Sequence, residues 1–323
     1  MLKPVLGTPV EPSRICLGSA PFGSTASKEV SFAVMDAYFE LGGNLIDTAY
    51  IYAAWVEGGV GASERTVGEW IRSRGVREKI VLGTKGGHPP IDAAVKVGRL
   101  SREDLNQDLS ESLDRLGLEQ VDLYWLHFDE PTRPVGEIIE SLASLAEDGR
   151  IRACGASNWA TDRIEAANVY AREHSLPPFV ASQPRFSLGA VANGPSATGP
   201  TSEADDPLRA WHVRTGLPMI PYSSQANGYF GAENVAWAKQ GFAGEAPRAA
   251  RFDSPANRRR LLGAMSLAET KGVTANQIAV AYLLSQPFPV YPIIGTTNAG
   301  HLRDAMGASD LRLTAEQGRR LFS

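Results

Sequence analysis

The sequence predicts an α/β fold, a (β/α)8 TIM barrel formed as a single domain over residues 1–323. Eight short apolar runs alternate with longer amphipathic runs, which is typical of parallel strands joined by right-handed helical crossovers. The first strand is followed by GSAPFG, which lacks the G-x-G-x-x-G pattern of an open dinucleotide-binding sheet. We therefore expect one barrel with long loops on its C-terminal face.

The apolar runs are short and rich in β-branched residues, so we interpret them as strands and not as buried helices. They cover residues 14–20, 44–49, 80–85, 121–127, 151–158, 179–187, 218–223 and 289–297.

Between these runs, apolar residues recur at helical spacing and are bounded by helix-capping residues. Ser27 and Ser101 are expected N-caps, and Gly75 and Gly149 are expected helix ends. Helices are predicted within residues 27–43, 63–75, 101–119, 135–149, 161–174 and 257–272.

Two segments interrupt the alternation and predict long loops. Residues 187–207 are rich in Gly, Ser, Pro and Ala. Residues 227–255 combine glycines with aromatic residues, among them Tyr229, Phe230, Trp237 and Phe242. Loops this long in a compact domain are usually functional or disordered. We interpret these aromatics as functional, with a separate packing cluster as the alternative.

Composition excludes several classes of function. The formal net charge is -4 and the sequence contains no basic stripe, so we expect no nucleic-acid partner. No apolar run reaches the ~18 residues of a membrane helix, and the N-terminus lacks a secretory signal. Both cysteines, Cys16 and Cys154, lie in predicted strands and are interpreted as buried apolar residues. We expect a soluble, cytoplasmic protein whose oligomeric state the sequence leaves open.

Polar residues follow three successive predicted strands. The second strand ends at Asp47, with Tyr52 just beyond, the third ends at Lys85 and the fourth at His127. Each residue alone has an ordinary explanation, such as a turn cap or a solvated rim residue. Functional residues of a barrel lie at the C-terminal strand ends, and adjacent strands are ~5 Å apart, so the four side chains are expected to converge.

Such a cluster has a definite chemistry. Lys85 would pair with Asp47, and a cation beside a phenol is expected to lower the pKa of Tyr52, which makes it a general acid. His127 would donate a hydrogen bond to a carbonyl oxygen. No nucleophilic Ser or Cys accompanies these residues and no metal-ligand spacing is present. The sequence therefore predicts carbonyl reduction, which needs a hydride donor.

From about residue 14 to about residue 305 the chain resembles the aldo-keto reductase family. The resemblance lies in DTAYIY, GTK, LYWLH and GRIRACGASNW, and it implies that Asp47, Tyr52, Lys85 and His127 form the catalytic tetrad. It also implies a nicotinamide cofactor and a small carbonyl substrate. Near the nicotinamide it implies Gly18, Ser19, Ala20, Asp47, Ser157, Asn158, Gln183 and Tyr222, the last stacked on the ring. Beside the pyrophosphate it implies Ser223, Gln225, Ala226 and Gly228.

The resemblance further places the 2'-phosphate and adenine beside Gly295, Thr296, Thr297, Asn298, His301 and Arg303. Many family members carry Lys or Arg in this loop, and an Asn where this chain has Ala305. The loop leads into a helix N-terminus, which is a natural anion site. We predict NADPH as the cofactor, with NADH as the alternative.

The stretch after Tyr52 is longer than the family's usual Y-G-x-S-E, which places Trp55 and Glu57 near the pocket mouth. The predicted substrate contacts are Phe22, Tyr52, Trp55, His127, Phe128 and Trp159. Polar Glu57, Asp129 and Arg185 among these aromatics suggest a sugar-like or other polar carbonyl substrate; alternatively, Trp55 only anchors its loop.

Two other functions remain open at this stage. One is an NAD-dependent sugar or alcohol dehydrogenase that works in the oxidative direction. The other is a cofactor-sensing regulatory subunit, against which the intact tetrad and the short termini argue.

Overall fold

The computed structural model describes residues 6–93, 97–190 and 206–322. Within them, seven strands form one parallel sheet: β1 (Cys16–Gly18), β2 (Leu45–Asp47), β3 (Val81–Gly86), β4 (Val121–Leu126), β5 (Ile151–Ser157), β6 (Phe179–Gln183) and β7 (Ile293–Gly295). Their order is β6-β5-β4-β3-β2-β1-β7, so the last strand returns to pair with the first. The predicted α/β class and its parallel strands are confirmed.

The predicted strand at residues 218–223 is not a regular strand. Met219 makes isolated parallel bridges to Ser182 and Val290, and so lies between β6 and the chain that precedes β7. The amide of Ile220 donates to the carbonyl of Ser182 at 2.9 Å, and that of Tyr291 donates to the carbonyl of Met219 at 2.8 Å. Prolines lack an amide donor and interrupt the ladder here, at Pro218, Pro221, Pro289 and Pro292. The described sheet therefore has seven regular strands where the sequence predicts eight.

The helices of the described residues are α1 (Lys28–Glu40), α2 (Ala62–Arg74), α3 (Arg102–Leu116), α4 (Val135–Glu147), α5 (Thr161–Glu173), α6 (Asp206–Thr215), α7 (Ala232–Lys239), α8 (Pro255–Lys271), α9 (Ala275–Leu284), α10 (Ala299–Met306) and α11 (Ala315–Arg320). The six predicted helices correspond to α1–α5 and α8. In contrast, α9 was not predicted, because nearly all of its residues are buried and it lacks the polar face that reveals a surface helix.

The helix ends follow the expected capping chemistry. The side chain of Ser27 accepts from the amide of Val30 at the start of α1, and that of Ser101 accepts from the amide of Asp104 at the start of α3. Gly75 follows α2 with a φ of 62°, a left-handed conformation that glycine adopts without steric strain.

Apolar residues fill two layers on either side of the sheet. The inner layer consists of side chains from one face of each of the seven strands, together with Ile220. Its members include Cys16, Leu45, Val81, Leu123, Ala153, Ala181, Ile220 and Ile293. The outer layer lies between the sheet and helices α1–α5. Because side chains alternate along a strand, each strand supplies both layers. Cys16 and Cys154 are both buried as free thiols.

The two predicted loops differ in outcome. Residues 191–205 of the first lie outside the described residues. The second contains α7. The four aromatic residues singled out from the sequence all pack in one cluster with α8 and α9, which agrees with the packing alternative, and Phe230 also lines the cavity described below. Buried Asn234 holds this segment together, since its amide nitrogen donates to the carbonyls of Tyr229 and Arg248, each at 3.0 Å. Of the helices described above, none is both long and apolar enough to cross a membrane.

Candidate active site

A cavity of about 1700 Å³ opens at the C-terminal ends of the strands. Typical small-molecule pockets measure ~300–1,000 Å³, so this one has room for a dinucleotide and a second small molecule. Residues at or just beyond the ends of six strands lie on its wall: Gly18, Lys85, His127, Ser157, Gln183 and Gly295.

Tyr52 and Lys85, which line this cavity, meet at the buried carboxylate of Asp47. The ammonium Nζ of Lys85 donates to Asp47 Oδ2 at 2.6 Å, and the Tyr52 hydroxyl donates to the same oxygen at 2.8 Å. Lys85 Nζ lies 4.7 Å from the centroid of the Tyr52 ring. Asp47 Oδ1 accepts from the Gln183 amide at 2.9 Å, so one buried carboxylate orients three side chains. Three of the four residues expected to converge, Asp47, Tyr52 and Lys85, are thus in contact, and His127 lines the same cavity.

The electrostatics of Tyr52 differ from the sequence-based expectation. Burial, and then the negative charge of Asp47, raise the pKa of Tyr52 well above its ordinary value, although Lys85 lies beside the ring. The expected lowering of this pKa by Lys85 is wrong, because burial and the negative charge of Asp47, to which the hydroxyl donates, outweigh the nearby cation. Tyr52 is therefore a neutral phenol at neutral pH, which still carries the proton that a general acid needs.

His127 is neutral for a related reason. Burial, followed by the charges of Lys85 and His88, lowers the pKa of His127 well below its ordinary value. Its ring lines the cavity, and within the described residues its buried Nδ1 has no hydrogen-bond partner. A neutral imidazole on the cavity wall is a donor that can serve a carbonyl oxygen.

The amide and hydroxyl groups predicted to hold the nicotinamide lie together. Asn158 Nδ2 donates to the carbonyl of His127 at 3.0 Å, and the Tyr222 hydroxyl donates to Asn158 Oδ1 at 2.8 Å. Ser157 Oγ donates to the carbonyl of Gln183 at 2.9 Å. All five of these residues line the cavity. The φ of Asn158 is 59°, a left-handed backbone that occurs preferentially at functional sites in non-glycine residues.

The segment predicted for the pyrophosphate is also unusual in its backbone. Ser223, Ala226 and Asn227 have φ values of 54°, 48° and 55°, so three non-glycine residues are left-handed within five positions. Ser223, Gln225 and Gly228 line the cavity, whereas Ala226 is fully buried and does not. Ala226 was predicted to lie beside the pyrophosphate, but it is a core residue that does not face the cavity.

At the far end of the cavity, Gly295, Thr296, Thr297 and His301 line the wall as predicted. Two neighbours do not. Asn298 is the N-cap of α10, accepting from the amides of Gly300 and His301, and Arg303 is exposed outside the cavity.

Of the residues predicted at the end of β1 and in the turn that follows, some line the cavity and one does not. Gly18 and Ala20 line the cavity. Ser19 is fully buried below it, where its hydroxyl donates to the carbonyl of Asp47 at 2.9 Å. Ser19 therefore supports the strand end and does not face the cavity.

Among the predicted substrate residues, Tyr52, Trp55, His127 and Phe128 line the cavity. Phe22 and Trp159 do not, and these two predictions are corrected. Phe22 is fully buried in the outer core layer. Trp159 packs edge-on against Phe179, at 5.3 Å between ring centroids, because the left-handed backbone at Asn158 directs the chain away from the cavity.

Several residues of the wall are not among the sequence-based predictions, and His88 is one of them. His88 is 8% exposed and its ring lies 4.8 Å from that of His127. His88 Nδ1 is 2.5 Å from the carbonyl oxygen of Pro89, which only accepts, so Nδ1 carries the hydrogen. The signal that would have identified His88 is its position three residues after Lys85, in the loop that follows β3.

A parallel α/β sheet with Asp, Tyr, Lys and His at successive strand ends defines an oxidoreductase site for carbonyl chemistry. Within the described residues, no group of three or more His, Cys, Asp or Glu side chains could hold a metal ion.

Comparisons with known proteins agree with this class. The family model described as "Aldo/keto reductase family" matches residues 14–322. Norsolorinic acid reductase stcV of Emericella nidulans is 30% identical over 98% of this chain and 79% of its own length. Norsolorinic acid reductase B of Aspergillus parasiticus is 28% identical over 98% of the chain and 81% of its own length. The probable aryl-alcohol dehydrogenase AAD4 of Saccharomyces cerevisiae is 28% identical over 90% of the chain and 86% of its own length.

The chain belongs to the aldo/keto reductase family. It is an NAD(P)H-dependent oxidoreductase, and the family and its named relatives support carbonyl reduction in general.

Proposed function

We propose that the chain reduces an aldehyde or ketone to the alcohol, with Tyr52 as the general acid and NADPH as the preferred cofactor. The observation that carries this proposal is the contact of Tyr52 and Lys85 with Asp47 at the inner end of one large cavity, which His127 also lines.

The protein's own groups account for the proton and for the developing charge. When bound, the reduced nicotinamide supplies the hydride. The Tyr52 hydroxyl turns its hydrogen from Asp47 to the substrate oxygen and donates it there. Lys85, 4.7 Å from the ring centroid, stabilises the phenolate left behind, and neutral His127 donates a hydrogen bond to the same substrate oxygen. The oxidative reaction uses the same groups in reverse, which keeps a dehydrogenase as the alternative direction.

The residues present fit a nicotinamide dinucleotide. Asn158 and Gln183 offer amide groups at the inner end, and Tyr222 offers an aromatic ring beside them. At the outer end, Thr296, Thr297 and His301 line the wall with polar side chains that can donate to an anionic group. These donors, together with the habit of the family, support NADPH over NADH.

Two substrate classes are candidates. The sequence favours a sugar-like or other polar carbonyl compound. An observation on the rim favours the second candidate, an aryl carbonyl compound: Trp55 and Ile91 line the cavity and yet are 63% and 56% exposed, and Phe128 lies deeper. Exposed apolar side chains at a pocket mouth suit a flat apolar ligand. The name of one relative, an aryl-alcohol dehydrogenase, supports the same class.

The test is Tyr52→Phe, measured both by turnover and by quenching of intrinsic fluorescence on cofactor addition. We expect turnover to fall at least ~100-fold, in line with loss of a general acid, with NADPH affinity nearly unchanged. Tyr170→Phe, on the outer surface of α5, is the matched control. Turnover that survives Tyr52→Phe would refute the assigned acid, and tighter binding of NADH than of NADPH would refute the cofactor preference.

A further inference from the structure

A second buried carboxylate lies near the catalytic cluster, on the helix side of the sheet. Glu64, in the first turn of α2, is fully buried and does not line the cavity. Its Oε1 accepts from the Thr84 hydroxyl at 2.6 Å, and its Oε2 accepts from Arg115 Nε at 2.5 Å. A buried ion pair is weak evidence for stability, because the two charges must be desolvated. The buried position of Glu64 therefore needs an explanation other than a contribution to stability.

Glu64 is connected to Lys85 through the strand itself. Thr84 and Lys85 are successive residues of β3, so their side chains point to opposite faces of the sheet. A carboxylate that fixes the Thr84 hydroxyl on the helix side also fixes the backbone from which Lys85 reaches Asp47.

The neighbouring residue on α2 acts on the adjacent strand ends. Ser63 Oγ lies 2.8 Å from the Thr48 hydroxyl and donates to the carbonyl of Ser19 at 2.8 Å. The carbonyl of Thr48 accepts from Lys85 Nζ at 2.9 Å. The first turn of α2 is thus bonded to the chain at the ends of β1, β2 and β3, on both sides of the ammonium group.

The charge of Glu64 also acts on Lys85. Burial lowers the pKa of Lys85, whereas the negative charges of Asp47, Cys16 and Glu64 act to raise it. Burial raises the pKa of the Cys16 thiol well above its ordinary value, so this thiol is uncharged at neutral pH. Tyr52 and His127 also face Lys85, and both are neutral. Asp47 and Glu64 are then the two carboxylates whose negative charge favours the protonated form of Lys85, and Asp47 has the larger effect.

We propose that Glu64 is a positioning residue for the reduction, whose carboxylate fixes the end of β3 and keeps the ammonium of Lys85 charged. This inference rests on the proposed function, because it acts through the cation that stabilises the Tyr52 phenolate.

The test compares the pH dependence of kcat in wild type and Glu64→Gln. The variant keeps the shape of the side chain and removes the charge. We expect the alkaline limb of the profile to move to lower pH by about one unit, with kcat on that limb falling about tenfold. The Kd for NADPH, measured by fluorescence, is expected to stay within about twofold of the wild-type value. Glu64→Asp, which keeps the negative charge, is expected to return the alkaline limb to its wild-type pH.

The matched control is Asp122→Asn. Asp122 is also fully buried and pairs with two arginines, Arg77 and Arg152, but it lies near the start of β4, away from the cavity. We expect this control to lower the melting temperature and to leave the alkaline limb in place. Arg115→Gln is a second variant for the case in which Glu64→Gln does not fold. It removes the opposing cation, so the limb is expected to move to higher pH.

The inference would be overturned by a folded Glu64→Gln variant whose alkaline limb lies at the same pH as in wild type. It would also be overturned by an Arg115→Gln variant whose alkaline limb does not move to higher pH. Wild-type protein without carbonyl reductase activity would overturn the proposed function as well. The two failures are therefore distinguished by the activity of the wild type.

Discussion

Individual buried polar residues in this protein are fixed by very few contacts. His212 of α6 is fully buried; its Nδ1 donates to the carbonyl of Leu217 at 2.8 Å, and its Nε2 accepts from the Ser182 hydroxyl at 3.0 Å. Burial lowers the pKa of His212 to about 4, so the ring is neutral in the folded protein at neutral pH. Because Ser182 belongs to β6 and bridges to Met219, this histidine joins a helix to the irregular part of the sheet.

The lowered pKa of His212 predicts a definite acid sensitivity. The unfolded chain binds a proton at this ring below its ordinary pKa of ~6.5, whereas the folded chain does so only below about 4. The free energy of unfolding contributed by this residue is complete above pH ~6.5 and falls as the pH drops toward 4, by on the order of 3 kcal/mol.

The measurement is urea unfolding of wild type and His212→Asn between pH 7 and pH 4. We expect the variant to be less stable at pH 7 and to lose less stability than wild type on acidification. His174→Asn, at an exposed histidine after α5, is the matched control and is expected to keep the wild-type pH dependence. Equal pH slopes in wild type and His212→Asn would contradict the assignment.

At the scale of elements, α2 combines two roles. Its first turn carries Ser63 and Glu64, which contact the strand ends, and its middle packs closely against α3. Gly68 makes this close packing possible, because a Cβ at this position would collide with the carbonyl of Leu116. The helix that supports the catalytic strands is thus itself located by a glycine.

We therefore predict that Gly68→Ala makes the protein less stable, although alanine is a better helix former than glycine. We expect overpacking against Leu116 to lower the free energy of unfolding by about 1–3 kcal/mol, measured by chemical denaturation. Gly263→Ala in α8 is the matched control, since its nearest neighbouring atoms would lie 3.7 Å away. There we expect a gain of roughly 0.5–1 kcal/mol from helix propensity. A neutral Gly68→Ala would show that the two helices separate without penalty.

Sequence patterns predicted elements well where each element has one polar and one apolar side. Helices α1–α5 are of this kind. Strands β1–β6, in contrast, are buried on both faces almost throughout and were predicted from their short apolar runs, and Asp47, Lys85 and His127 could be located because they end or follow such strands. Two other elements were missed or misread: α9 is buried nearly all round, and residues 218–223 carry two prolines. Neighbours of catalytic residues were also misplaced, as with Trp159, because adjacency in sequence does not give the direction of a side chain.

The whole molecule brings together a cavity that no single element could form. Its inner end is polar and built from strand ends, whereas its mouth is bordered by residues from separate loops: Trp55, Ile91 and Phe128. Trp55 lies in the connection after Tyr52, which is longer than the family's usual Y-G-x-S-E, so the mouth and the inner end of the cavity come from different parts of the fold.

Substrate preference is therefore expected to depend on the mouth. With NADPH saturating, we expect kcat/KM for aryl aldehydes to exceed that for sugar aldehydes at least ~10-fold, because the exposed apolar rim gains burial with a flat ring. Trp55→Ala is expected to reduce this ratio, while Val213→Ala, at an exposed apolar residue of α6 away from the cavity, leaves it unchanged. A higher kcat/KM for sugar aldehydes would instead support the polar substrate predicted from sequence.

The two cysteines have a practical consequence for redox behaviour. They are the only thiols in the chain, and burial raises the pKa of Cys154 to about 12 and that of Cys16 well above its ordinary value. Thiol oxidation and alkylation both require an accessible thiolate. The folded protein is therefore expected to keep its activity in air without added reductant, and a cysteine introduced at the cavity mouth could be labelled alone.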